Sequence, residues 1–348
     1  TSRHWDYKMS KNLLNIGLIG VGRIGKVHAE HLAYRIPRAR LAAVSDVNLE
    51  AAAALGAKLG VGRVEADHRA LLADPALDAV VICSPTDLHA PMIEESAAAG
   101  KHIFCEKPVA RTLGEIDRSL DAVARAGVKL QIGFNRRFDA NFARVRRAIS
   151  SGEIGEPHLL HIVSRDPGPP PIEYVRVSGG MFLDMTIHDF DMARFLIGEE
   201  VEEVFAAGAV RVDPAIGAAG DLDTALVTLK FAGGALGVID NSRRAVYGYD
   251  QRVEVLGSAG GAAVANNHPN TAVISDAASV HRDLPLNFFM DRYLDSFLTE
   301  MAAFVDAVLD GAPIPVTGED GRAAVALGIA ARRSHDENRP VRLDEIKA

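Results

Sequence analysis

Residues Leu14–Gly25 read LNIGLIGVGRIG, an apolar run of strand length that breaks into Gly20-Val21-Gly22-Arg23-Ile24-Gly25. A helical stretch, Lys26 to Tyr34, follows. In the order strand, G-x-G-x-x-G, helix, each glycine has a task. The first permits the tight turn, the second lets a pyrophosphate approach the backbone, and the third lets helix and strand pack closely. The helix N-terminus offers unpaired N–H groups and a positive dipole end to the phosphates. A second strand, Leu41 to Ser45, ends at Asp46. That is about 20 residues beyond the last glycine, where an acid takes the ribose diol of NAD. Val47, Asn48 and Leu49 come next, so no cation is ready for an adenosine 2′-phosphate. The expected cofactor is NAD rather than NADP.

Outward from this motif the alternation continues. Helices are expected at Ala52–Leu59, His68–Ala73, Leu88–Ala99 and Leu113–Ala126, and strands at Ala79–Cys83, His102–Cys105 and Lys129–Phe134. Strands alternating with helices imply a doubly wound parallel sheet, the Rossmann arrangement, over residues 11–133. Ligands bind such sheets at the carboxyl ends of the strands. Two loops lie there, Ser84-Pro85-Thr86-Asp87-Leu88-His89 and Glu106-Lys107-Pro108. They nominate Ser84, Thr86, His89, Glu106 and Lys107 beside Gly20, Gly22, Arg23, Ile24, Gly25 and Asp46 as cofactor-binding residues. His89 reads equally as a structural residue. Lys107 follows a buried strand directly, and a half-buried lysine can serve as an acid or a hydrogen-bond donor.

Residues 134–348 read differently. A strand at His158–Ser164 is followed by runs near Val204–Arg211, Thr224–Phe231, Ala235–Ser242, Arg252–Leu256 and Ala272–Ile274, with few helices between and a hairpin signal at Gly233-Gly234. Strands without crossover helices imply an α+β domain with an open, largely antiparallel sheet. One sheet face then needs a partner, and a second subunit is a common solution. Two amphipathic helices close the chain, Phe288–Leu309 and Glu319–His335.

Within this half, residues 179–198 read GGMFLDMTIHDFDMARFLIG. Glycines flank a segment apolar on nearly every side, which predicts one buried helix of about five turns. Asp184, His188 and Asp191 sit on it at spacings of four and three, which places them on one face. Buried carboxylates and imidazoles are costly unless paired or used. A core histidine held by a capping carboxylate is the simpler alternative to a catalytic pair.

The 348 residues favour two domains. Hydrophobic residues make up 48% and charged residues 24%, the profile of a soluble globular protein. A net charge of −8 argues against nucleic acid and anionic membranes as partners. No apolar run reaches membrane-spanning length and no signal peptide is visible. Two cysteines, Cys83 and Cys105, without metal-ligand spacing suggest a reducing cytoplasm and no metal centre. Residues 1–10 lack periodicity and read as a tag-like or loose arm.

Taken together, GLIGVGRIGKVHAEHL, SPTDLH, CEKPVA, GFNRRFD, the Asp184–Asp191 helix and YGYDQR resemble the glucose–fructose oxidoreductase/inositol dehydrogenase (Gfo/Idh/MocA) family over nearly the whole chain. SRDP (Ser164–Pro167), GGMFLDMTIHDFDMARF and YGYDQR are narrower and look most like bacterial inositol 2-dehydrogenases. The resemblance implies a catalytic group of Lys107, Asp184 and His188. It places Asn135, Arg136, Asp166 and Tyr249, with Tyr247 nearby, around a cyclitol. It further implies a homo-oligomer, a tetramer. The expected reaction is NAD-dependent oxidation of myo-inositol to its 2-keto product, with His188 as general base. Another cyclitol or sugar, such as scyllo-inositol or an aldose, is the alternative within the class. A regulator that binds NAD without chemistry is the alternative outside it. The loop 167–177 (PGPPPIEYVRV) cannot be read for specificity.

Overall fold

The structure, a computed structural model, describes Leu13–Ala348, so the expectation for residues 1–10 lies outside the described residues. The chain divides into two compact units. Among the described residues the first comprises residues 13–110, 115–133 and 297–319, and the second residues 111–114, 134–296 and 320–348.

In the first unit, β1 (Leu14–Ile19), α1 (Arg23–Tyr34), β2 (Ala39–Ser45), α2 (Leu49–Leu59), β3 (Arg63–Glu65), α3 (His68–Leu72), β4 (Ala79–Ile82), α4 (His89–Ala98), β5 (His102–Glu106), α5 (Leu113–Ala126) and β6 (Leu130–Gly133) follow in order. The strands form a parallel sheet in the order β3-β2-β1-β4-β5-β6. The order reverses beside β1, and that switch point opens a crevice at the carboxyl ends. Every residue of β4 is buried, as expected of a strand covered on both faces. The short strand β3, with no buried residue, escaped sequence analysis.

The second unit continues with α6 (Ala140–Ser150), β7 (Pro157–Arg165), α7 (Ile172–Val175), α8 (Met181–Asp184), α9 (Ile187–Ile197), β8 (Val201–Ala209), α10 (Pro214–Ala218), β9 (Thr224–Phe231), β10 (Leu236–Ser242), β11 (Asp250–Gly257), β12 (Gly260–Val264), and the hairpin β13 (Val273–Ser275) and β14 (Val280–Arg282). Then come α11 (Phe289–Asp310), α12 (Gly318–Glu337) and β15 (Val341–Arg342). The sheet runs β12-β11-β7-β10-β9-β8-β15, antiparallel except where β7 lies parallel to β10. Alternation is strict in β9, where Ala225, Val227, Leu229 and Phe231 are buried and Leu226, Thr228 and Lys230 are not.

Two features depart from the sequence-based expectation. Most of α11 returns to the first unit, where Met301, Phe304 and Val305 join the core of Leu14, Ile16, Leu18 and Phe104. The stretch 179–198 is also two helices rather than one. Thr186 N–H bonds back to Met181 O at 3.0 Å, while His188 N–H and Asp189 N–H bond to Met185 O and Thr186 O, only three residues back. The ladder slips by a residue and then tightens, a break of the kind that collects at functional sites. The cause is polar: the Thr186 hydroxyl donates to Asn241 Oδ1 on β10 at 2.6 Å. Gly198 closes α9 in the left-handed conformation (φ 80°) that the terminal glycine predicts.

Candidate active site

The first unit carries one group of the nominated residues. Gly20 has φ +94°, and a Cβ there would lie 2.6 Å from Cys83 O. A Cβ on Gly25 would overlap the carbonyl oxygen of Gly20. Turn and packing therefore fix these two. A Cβ on Gly22 would meet nothing within 4 Å, so nothing inside the protein demands glycine there. What a bare Gly22 permits is close approach of a ligand to the start of α1, as a pyrophosphate requires. Asp46 accepts the N–H of Val21 at 2.8 Å and of Asn48 at 2.8 Å, one on each carboxylate oxygen. Each oxygen keeps a second acceptor position for a ribose hydroxyl. The exposed Val47 beside it offers no charge to a 2′-phosphate.

The remaining nominees of this unit divide. Ser84 Oγ is buried without a hydrogen-bond partner, and Thr86 opens a short 3₁₀ turn. His89 is buried, with Nδ1 2.7 Å from Pro108 O and Nε2 2.9 Å from Ser84 O. Both ring nitrogens face backbone carbonyls, so the imidazole ties the Ser84 loop to the Glu106–Pro108 loop. Burial pulls its basicity below the usual range against these two acceptors. Glu106 Oε1 lies 2.8 Å from His28 Nε2, and Lys107, half-buried, follows it at the end of β5.

The second unit carries the other group. Because β7 and β10 are parallel in register, with Arg165 opposite Ser242, the residues after them emerge at the same edge. These are Asp166 and Arg243. Antiparallel pairing of Asp250 with Arg165 brings Tyr249 to that edge as well. Arg243, buried, donates to Asp184 Oδ2 at 2.9 Å, and the Tyr174 hydroxyl donates to Asp184 Oδ1 at 2.7 Å. Asp184, the last residue of α8, thus accepts from two directions. His188, half-buried at the start of α9, meets the ring of Phe134 edge-on at 6.0 Å.

Asp166 is half-buried, and no protein donor reaches its carboxylate among the described residues. Burial pushes its carboxyl up to about 6, against the pull of Arg243 and with the push of Asp184. Asn135 is buried and its Nδ2 has no partner. Arg136 is buried in a pair with Asp189 Oδ1 at 2.5 Å and reaches Ser164 Oγ and Tyr249 Oη at 3.4 Å. The Tyr247 hydroxyl is held between Arg165 at 3.1 Å and Asp250 at 2.5 Å.

The helix break corrects one expectation. Asp191 does not share a cluster with Asp184. It takes the Arg137 guanidinium on both oxygens, at 2.6–3.1 Å, in a buried structural ion pair. The acid that stands behind the polar edge is Asp189, which binds Arg136 and Asn241 Nδ2. Asp189, Asn241 and Arg243 went unnoticed because each reads as an ordinary residue of its helix or strand.

By fold and by the bare glycine of its phosphate turn, the chain is an NAD-binding oxidoreductase. Residues 14–134 match the family model described as the oxidoreductase family, NAD-binding Rossmann fold, and residues 142–263 match the GFO/IDH/MocA C-terminal domain. The chain belongs to the Gfo/Idh/MocA family. It is 52% identical over 333 residues to myo-inositol 2-dehydrogenase of Thermotoga maritima, across 96% of this chain and 99% of that one. It superposes on myo-inositol dehydrogenase of Corynebacterium glutamicum with a TM-score of 0.91 at 38% identity, covering 95% and 99% of the two chains. It also matches myo-inositol dehydrogenase of Lactobacillus casei, solved in complex with NAD(H) and myo-inositol, with a TM-score of 0.85 at 27% identity over 95% and 96%.

Proposed function

We propose that the protein oxidises a ring hydroxyl of a cyclic polyol with NAD, converting myo-inositol to its 2-keto product. The observation that carries this reading is the likeness to the Thermotoga maritima enzyme along 96% of the chain. The polar edge of the second unit suits such a substrate. A ring bearing many hydroxyls needs acceptors and donors together, and Asp166 and Asn135 offer an open acceptor and an open donor.

NAD, when bound, supplies the hydride acceptor. The residues that hold it are the Gly20–Gly25 turn and Asp46, with Ser84, Thr86 and Glu106 at the neighbouring strand ends. For the alcohol, an imidazole nitrogen of His188 takes the hydroxyl proton as the carbon–hydrogen bond breaks. Asp184, fixed by Tyr174 and Arg243 four residues before His188, keeps a negative charge that favours the protonated imidazole. Lys107 donates to the reacting oxygen and stabilises charge developing there. Arg136, spent on Asp189, supports Tyr249 from behind rather than binding the ring.

A screen of cyclitols and aldoses with NAD, read by NADH absorbance, tests the reading. Myo-inositol is expected to give the highest kcat/KM. A higher value for scyllo-inositol or an aldose replaces the substrate, and no turnover with any of them replaces the enzyme by a regulator.

We further propose a cytoplasmic homotetramer. Leu256, Leu159 and Leu236 lie in register across β11, β7 and β10 on one face of the sheet, each about half exposed. The two cysteines are unpaired thiols. Light scattering that shows a stable monomer at micromolar concentration overturns the assembly.

A further inference from the structure

Beneath the Glu106–Lys107 loop the first unit buries two polar side chains, His28 and Glu300, that neither nucleotide nor polyol accounts for. His28, on α1, is fully buried, with its ring edge-on to Phe104 at 5.1 Å and to Phe297 at 5.9 Å. Its Nε2 lies 2.8 Å from Glu106 Oε1 and 4.0 Å from Glu300 Oε1. Glu300, on α11, is fully buried, and neither of its oxygens has a hydrogen-bond partner. Glu106 also lies across Gly133, where a Cβ would come 2.9 Å from its Oε2.

A proton and a metal ion are the two ways to close such a group. Three ligand atoms of the right types lie within 4.8 Å of one another. However, two ligands of one zinc-sized ion, each about 2.0–2.2 Å from it, are held further apart than the 2.8 Å between His28 Nε2 and Glu106 Oε1. That separation is a direct hydrogen bond. His28 is therefore the Nε2–H tautomer donating to an ionised Glu106, and its Nδ1, buried without a partner, is the bare acceptor nitrogen. Glu300 has no donor to satisfy a charge, and a second buried carboxylate beside Glu106 would be repelled. Burial, then the Glu106 charge, pushes the Glu300 carboxyl well above the usual range. The other titratable groups near it, Cys83 and Cys105, are thiols that burial keeps neutral.

We propose that His28 is a positioning residue for Lys107, clamping the Glu106 carboxylate from below, and that Glu300 serves the clamp as a neutral acid that leaves His28 to Glu106 alone. The inference rests on the reading of Lys107 as catalytic. Lys107 follows Glu106 directly, so any tilt of the glutamate carries the lysine with it. A displacement of an ångström at a reacting group costs up to about a hundredfold in rate.

The test compares five variants of the full chain with wild type by melting temperature, NAD affinity, kcat and metal content. Glu300→Gln, neutral and isosteric, keeps kcat within about threefold, whereas Glu300→Asp, too short to fill the site, lowers it. His28→Leu, which removes the donor, lowers kcat by about tenfold or more, and His28→Gln, which restores an N–H donor, recovers most of it. Three results overturn the proposal. They are Glu300→Gln as inactive as Lys107→Ala, His28→Leu with wild-type kcat, or one tightly bound metal ion per purified chain. Lys107→Ala with wild-type kcat instead removes the reading beneath it, and so separates the two failures.

Discussion

The nucleotide turn of the first unit and the polar edge of the second are built by opposite means. The turn is a matter of backbone: Gly20 is glycine because its φ is +94°, Gly25 because the Gly20 carbonyl leaves no room, and Gly22 has open space where a Cβ would stand. Its chemistry is local, spread over six consecutive residues. The polar edge is a matter of side chains from distant parts of the chain. Asp166, Asp184, His188, Asn241, Arg243 and Tyr249 lie in or beside five strands and helices, β7, α8, α9, β10 and β11. They are held by a parallel strand pair, a slipped helix and long-range hydrogen bonds. A backbone site tolerates side-chain change wherever a Cβ has space, whereas a side-chain site fails atom by atom.

The sharpest way to break this contrast is His188→Ala. If the imidazole is the base, kcat falls at least about 10²-fold while melting temperature and NAD affinity stay near wild type. A protein that melts early yet keeps normal turnover in its folded fraction makes His188 a core residue instead. A folded variant with full turnover leaves Lys107 as the remaining candidate.

On the nucleotide side the expected effects are smaller. Asp46→Ala removes a charged acceptor and weakens NAD binding by about 1–3 kcal/mol. It also lowers melting temperature, because the N–H groups of Val21 and Asn48 lose their acceptor. A kcat/KM with NADP equal to or above that with NAD refutes the assignment of Asp46. The glycines offer a finer division. Gly25→Ala should unsettle the fold itself. Gly22→Ala should leave the melting temperature alone and weaken NAD binding by about tenfold. Equal melting losses for the two would mean that Gly22 has a packing role that its open surroundings do not show.

The same division decides what could be read in advance. The turn was legible as a motif because its glycines lie within six consecutive residues, between a strand and a helix. The largely antiparallel sheet was legible because its strand runs follow one another without crossover helices. The break at Met185–Thr186 was not, because ten large apolar residues look the same on one helix or two. The deciding contact is the Thr186 hydroxyl on Asn241, 55 residues away. Helical spacing therefore grouped Asp191 with His188, while the slipped ladder left Asp191 to Arg137 and brought Asp189 to Arg136. Glu300 was invisible for a similar reason: one acid on an amphipathic helix reads as solvent-facing until the helix is seen to return to the first unit.

The smallest expected effect, and the most specific, belongs to Asp166. Its carboxyl is pushed up to about 6 in the folded protein, above the value of about 3.9 of an unfolded chain. The folded state therefore binds this proton more tightly than the unfolded state does. The resulting stabilisation is complete below about pH 4 and is lost as pH rises through about 6. At pH 7–8 the ionised, half-buried carboxylate costs the free protein about 1–3 kcal/mol. Asp166→Asn removes that cost, so the variant should melt higher than wild type at pH 7.5, and the difference should vanish near pH 4. The same change takes an acceptor from the polyol, so KM for myo-inositol should rise while NAD affinity stays constant. Wild-type kcat/KM should also fall below about pH 6 as the carboxylate protonates, and the variant should lack that limb. A variant no more stable than wild type at pH 7.5 would mean that water or Arg243 already satisfies the charge. A variant more stable but with unchanged KM would remove Asp166 from the substrate site and leave it a strained edge residue.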